Sequence, residues 1–274
     1  MPHYLSAQHL KNFNGCGRHK NTQNTKRKHM SWLTNTLSPV GLGWFGGFLT
    51  SSIGKKVLMA LTGLFLISFL PIHLLGNLYL LKDDKGESFN LYAEFMTHNK
   101  IIKAVSYTLY LSIVLHAIQG LLLWRQNASA RGQNYAVKVT RAVGTNARAA
   151  TRMGWLGTIL LIFILLHMYQ FWLQMKLGNV PRAAYGDGEI VKDLYNPVMD
   201  AFANPTFVII YVVSMVAIAF HLWHGFQSAF QTLGLNHGKY MPFIKALGKA
   251  YSVLIPAGFA IIPIYVYGDS MGWW

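Results

Sequence analysis

Charge is scarce in this chain. Of its 274 residues, 12% are Asp, Glu, Lys or Arg, while 53% are hydrophobic. A water-soluble domain carries about a quarter charged residues. The deficit argues against an ordinary soluble globule and for an integral membrane protein. Acid is scarcer than base: nine Asp and Glu stand against 24 Lys and Arg, for a formal net charge of +15. The only cysteine, Cys16, lies in a polar N-terminal stretch. A single thiol excludes a disulfide framework, a zinc cluster or an iron–sulfur ligand set built within the chain. There is also no P-loop and no repeat of solenoid length.

What the chain has in quantity is long apolar runs. Five are long enough to cross a bilayer, at about 57–80, 103–124, 154–175, 206–230 and 249–267. The expectation is an all-α bundle of five transmembrane helices over residues 51–274. Residues 1–50 are expected to form a separate segment. Met1 to His29 are polar and basic, with no apolar run behind them, and are expected to be disordered or loosely held by anionic lipid. Met30 is an alternative start. Ser31 to Phe48 mixes Trp, Leu, Phe and Gly around Pro39 and suits a segment lying along the membrane surface.

The basic residues are not spread evenly. Most Lys and Arg precede the first span or fall in the loops after spans two and four, among them Arg125, Arg141, Arg148, Arg152, Lys239, Lys245 and Lys249. The acids fall in the loops after spans one and three, or at Asp269. The positive-inside rule then puts the N-terminus in the cytoplasm and the C-terminus outside, in a multi-pass protein of the cell membrane. With the charge explained by topology, nucleic acid is not an expected partner.

Four spans each carry a histidine in their apolar run: His73, His116, His167 and His221. An ionisable residue in hydrocarbon is costly and is a functional candidate by default. At about 1.5 Å rise per residue, His73 lies roughly 24 Å and His167 about 20 Å from the inner ends of their spans. His116 lies about 13 Å from the inner end of span two, and His221 falls in the inner third of span four. The four thus sort into an outer pair, His73 with His167, and an inner pair, His116 with His221.

Two imidazoles from facing helices at one depth are what a six-coordinate haem iron needs as axial ligands. Small residues should lie beside them. Gly120 and Gly225 follow His116 and His221 at H-x-x-x-G spacing, on the same helix face, and Gly76 follows His73. A lone intramembrane histidine is more often a packing or proton-relay residue than a ligand; four that sort into two depths shift the balance toward haem. His224, one turn from His221, is a weaker candidate for a propionate, quinone or packing contact. His98 and His237 belong to loops. Trp223 and Phe226 suit either a ring pocket or core packing, with packing favoured.

At these residues a resemblance emerges. IHLLGN around His73, LHAIQG around His116, LLHMYQFW around His167 and FHLWHGFQSAFQTLG around His221 are similar to the dihaem cytochrome b558-type membrane anchor of succinate dehydrogenase or fumarate reductase. The resemblance covers Lys55 to Tyr267. It implies two b haems, the outer held by His73 and His167 and the inner by His116 and His221. It implies partners too: a flavoprotein subunit, an iron–sulfur subunit and a membrane quinone, expected to be menaquinone. The dicarboxylate site would lie on the flavoprotein, so this chain carries no catalytic residue. Where some dihaem fumarate reductases have a glutamate two residues before the fourth-span ligand, this chain has Ala219, which argues against a proton path of that kind. Glu94 is the nearest outer carboxylate to span two and a weak candidate for quinol chemistry. The competing readings are a proton or ion translocator with a histidine relay, and another dihaem cytochrome, hydrogenase- or ascorbate-linked.

Overall fold

The structure, a computed structural model, describes residues 43–131, 147–186 and 188–273. The readings of residues 1–42 and of Arg141 lie outside those residues. The chain divides into two compact units, Met1–Lys55 and Lys56–Trp274.

In the first unit, helix α1 (Gly43–Thr50) exposes Trp44, Phe45 and Phe48. Ser51 separates it from α2 (Ser52–Asn77). The Ser51 hydroxyl donates to Phe48 O at 2.6 Å and accepts from Gly54 N at 2.9 Å, so one side chain closes one helix and caps the next. Gly54 approaches the Phe48 carbonyl so closely that a Cβ there would collide with it.

Helix α2 continues through Pro71 into a 3-10 turn, Leu78–Leu81. Then come α3 (Glu87–His98), α4 (Lys100–Arg131) and α5 (Ala147–His167). A π-helical segment, Met168–Leu173, and a last turn α6 (Gln174–Leu177) prolong α5. Strands β1 (Arg182–Tyr185) and β2 (Glu189–Lys192) form an antiparallel hairpin. Helices α7 (Tyr195–Phe202), α8 (Pro205–Thr232) and α9 (Met241–Ser270) complete the chain.

Among the described residues, five helical rods are long and apolar enough to cross a membrane: Ser52–Leu81, Lys100–Ser129, Arg152–Leu177, Pro205–Thr232 and Met241–Ser270. Each of the five apolar runs lies within one of them. The rods overrun the apolar runs because polar caps, not hydropathy, end a helix. Asn204 accepts from Thr206 N at 2.9 Å ahead of Pro205, a pre-shaped first helical residue. Asn99 accepts from Ile101 N at 2.9 Å to start α4.

The expectation of five helices joined by loops is refined in two places, of which only the hairpin departs from all-α. The loop after span one contains a helix, α3, and the loop after span three contains the β1–β2 hairpin and α7. Asn90, fully buried, ties these pieces together. Its Nδ2 donates to Tyr185 Oη at 2.8 Å and Asp193 Oδ1 at 3.0 Å, and its Oδ1 accepts from Leu194 N at 2.9 Å and Tyr195 N at 3.0 Å. Asp193, also buried, accepts further from the Tyr195 and Asn196 amides. Four short polar bonds from one asparagine hold together segments about a hundred residues apart. Apolar periodicity carries no trace of such a clasp.

Helix α8 is the most enclosed rod. It packs closely on α9 and on α5, with Gly248 of α9 making room for the Phe226 ring. A core of Leu80, Phe163, Val198, Phe202, Val208, Tyr211, Met215, Ile262 and Val266 lies at the end of the bundle covered by α7. Large apolar side chains face outward all round the other rods; Ile101 is 76% and Leu254 67% exposed. Apolar residues on the outside and polar clasps inside are the arrangement that a lipid solvent requires.

Helix α2 stands off from its neighbours and meets them through side chains, such as Leu74 over Gly258. Pro71 cannot donate to the carbonyl of Ile67, one turn earlier. Tyr251 of α9 donates its hydroxyl to that same carbonyl, so a neighbouring rod replaces the bond that proline removes.

Candidate functional site: two histidine pairs

The four histidines of the apolar runs meet two by two. His73 (α2) and His167 (α5) have ring centroids 5.9 Å apart, and His116 (α4) and His221 (α8) 6.2 Å apart. Both pairs join different rods. They occupy two levels. Opposite His116, α2 presents Gly63, where a Cβ would lie 3.2 Å from the His116 ring. Gly63 and His73 are ten residues apart on one helix, or about 15 Å along its axis. Helix α8 gives the same result: Tyr211, which touches His167, precedes His221 by ten residues, again about 15 Å.

The pair His73–His167 sits beneath the α7 cap, in an aromatic box. Phe69 stacks on His73 at 5.1 Å and Phe259 lies at 5.5 Å. Phe163, Phe171 and Tyr211 surround His167 at 6.0, 5.5 and 6.1 Å. Phe202 of the cap contacts Tyr211 at 5.0 Å. The π segment begins directly after His167, and such wide turns recur at functional sites. The Nδ1 of His167 lies 3.3 Å from Tyr211 Oη, which in turn donates to Gln170 Oε1 at 2.8 Å. Asn77 Nδ2 donates to the His73 carbonyl at 2.7 Å and lies 3.4 Å from its Nδ1.

The second pair is lined by small residues instead. His116 Nδ1 is 3.2 Å from Thr62 Oγ1, whose proton goes to Leu58 O at 2.8 Å. Gly63 faces the ring. At Gly120 a Cβ would touch only Met59 at 3.5 Å, and at Gly225 it would meet nothing within 4 Å. His221 Nδ1 is buried and, among the described residues, without a hydrogen-bond partner.

These features fit a haem. An imidazole nitrogen binds a first-row metal at about 2.0 Å, and adding about 1.1 Å from nitrogen to ring centre puts two axial ligands about 6.2 Å apart, centroid to centroid. The observed separations are 5.9 and 6.2 Å. A closed metal cage is a poorer fit, since among the described residues no three His, Cys, Asp or Glu side chains converge. The orphaned His221 nitrogen and the open face at Gly225 leave polar valence and space at the second pair.

Other candidates land elsewhere. His224 is half-buried and makes no hydrogen bond or ring contact among the described residues. At Gly76 a Cβ would collide with Tyr92, so this glycine accommodates that ring. Phe226 belongs to the packed core beside Phe230 and Tyr251, whereas Trp223 is exposed with Lys249 over its ring at 5.7 Å. Glu94 pairs with His98 at 3.0 Å on α3. Sequence reasoning missed Thr62, Gly63, Asn77, Gln170 and Tyr211. The available signal was helical spacing of polar residues beside a histidine, as in H-x-x-x-N from His73 to Asn77. Two strings imitate catalytic motifs. GDSMG, 268–272, spells a nucleophile elbow but closes α9, with Ser270 Oγ donating to Tyr267 O at 2.7 Å. GLGWFG, 41–46, reads as a dinucleotide fingerprint but lies partly outside the described residues, and no strand precedes its helix among them.

Compared with protein-family models, with curated proteins and with solved structures, the chain finds no match.

Proposed function

We propose that this chain is a dihaem electron-transfer subunit, the membrane anchor of a succinate:quinone oxidoreductase. The observation that carries the reading is the pair of histidine pairs. Four imidazoles on four separate rods meet two by two, at axial-ligand spacing, on two levels about 15 Å apart. His73 and His167 hold one haem b and His116 and His221 the other. Each haem, when bound, supplies one-electron redox chemistry.

The chain's own residues do the rest. The aromatic box around His73 and His167 excludes water from the capped pair, and Gly63, Gly120 and Gly225 give a flat ring access to the other. Arg125, Arg152, Lys239, Lys245 and Lys249 are exposed at the uncapped end. They suit a cytoplasmic face on which an iron–sulfur subunit docks beside its flavoprotein partner. Quinone would then react near the capped end, in the cell membrane. The motifs around the four histidines, quoted above, favour this complex over a hydrogenase- or ascorbate-linked cytochrome.

The test is a redox-titrated optical spectrum of the complex purified through this chain, with its subunits identified. The proposal expects two b-type components per chain together with a flavin subunit and an iron–sulfur subunit. A colourless preparation would reject haem binding and favour a histidine relay. Haem without those two partners would reject the anchor role.

A further inference from the structure

Both pairs contain a hydroxyl that has already given away its proton. A tyrosine or threonine hydroxyl carries one proton and free lone pairs. Tyr211 donates to Gln170 Oε1 at 2.8 Å, and Thr62 donates to Leu58 O at 2.8 Å. Each oxygen also lies against a histidine Nδ1, at 3.3 Å for His167 and 3.2 Å for His116. With its proton committed, the hydroxyl can only accept. The histidine must therefore carry its proton on Nδ1 and keep a lone pair on Nε2. The other members of the pairs lack this arrangement: His73 Nδ1 faces an amide donor, and His221 Nδ1 has no partner among the described residues.

We infer that Tyr211, locked by Gln170, is a positioning residue that sets the tautomer and electron-donating strength of His167, and that Thr62 does the same for His116. The inference rests on the dihaem reading. A hydrogen-bond acceptor on Nδ1–H raises the basicity of a metal-bound imidazole, and losing such a partner typically changes affinity 10- to 100-fold. A more basic ligand favours ferric over ferrous iron. Tyr211→Phe removes only the oxygen. It should weaken the ferric preference of the capped-end haem about tenfold, an upward shift of about 59 mV for one electron. The other haem should not move. Gln170→Leu should do less: it unlocks the Tyr211 hydroxyl, which then accepts from His167 Nδ1–H only part of the time, so the capped-end haem should shift upward by less than in Tyr211→Phe. Thr62→Val should shift only the second haem.

The experiment is a potentiometric titration of the full-length protein and these three variants, each haem followed by its own spectrum. It is paired with isotope-edited NMR of the labelled histidines in haem-free protein. The unshifted haem reports that the bundle is intact in each variant. An Nδ1-protonated His167 and a selective upward shift in Tyr211→Phe would support the inference. An Nε2-protonated His167, unchanged potentials in Tyr211→Phe, or loss of both haems from that variant would overturn it. A wild-type chain that takes up no haem would instead overturn the proposed function, so the two failures are distinguishable.

Discussion

Tyr251→Phe tests whether α9 supports α2 through a single hydrogen bond. Pro71 removes the helical donor to the Ile67 carbonyl, and the Tyr251 hydroxyl supplies another. Deleting that hydroxyl leaves a carbonyl with no donor. An unsatisfied buried polar group costs about 1–3 kcal/mol in soluble proteins, whereas hydrogen bonds between membrane helices average only about 0.6 kcal/mol. The higher range applies here, because the membrane average includes carbonyls whose own helix can still serve them, and the Ile67 carbonyl cannot be served that way. The expected loss for Tyr251→Phe is therefore about 1–2 kcal/mol. In a Pro71→Ala background the alanine N–H reaches Ile67, and the same substitution should cost less than about 0.5 kcal/mol. The assay is a double-mutant cycle on unfolding in detergent micelles. Equal costs in both backgrounds would show that the hydroxyl does not substitute for the missing backbone donor.

Three further predictions follow from the structure. His221→Ala should remove one haem while His224→Ala leaves both, since only His221 faces a second imidazole; haem counts per chain decide, and loss in the second variant alone would refute the ligand assignment. Gly63→Val should disturb His116 selectively, because a Cβ at that position already lies 3.2 Å from its ring; the spectrum of the His116–His221 component should change while the other stays. Asn90→Ala should cost about 1–3 kcal/mol by stranding the Leu194 amide, and protease nicking of the hairpin should rise. An unchanged nicking rate would show that the clasp does not hold the cap.

The five rods were legible because each is a long apolar run bounded by charge, a simple pattern to read from sequence. The grouping of the histidines was legible too, since depth along a helix follows from residue count. What did not show in the sequence depends on short polar contacts. Nothing local marks Asn90 as the buried centre of a clasp joining α3 to the hairpin and α7. Gly76 and Gly225 look alike beside their histidines, yet one holds a tyrosine ring and the other opens onto free space. Tyr211 and Thr62 sit inside apolar runs and touch histidines on other rods; only the packing of those rods brings them there.

Haem stoichiometry, by pyridine haemochrome and metal analysis on the purified protein and on His73→Ala, asks whether each histidine pair grips its own iron, as proposed. Two haems per chain are expected, falling to one in the variant, with the His116–His221 component unchanged in potential. A single haem in the parent protein, or two haems with unaltered spectra in His73→Ala, would contradict the proposal.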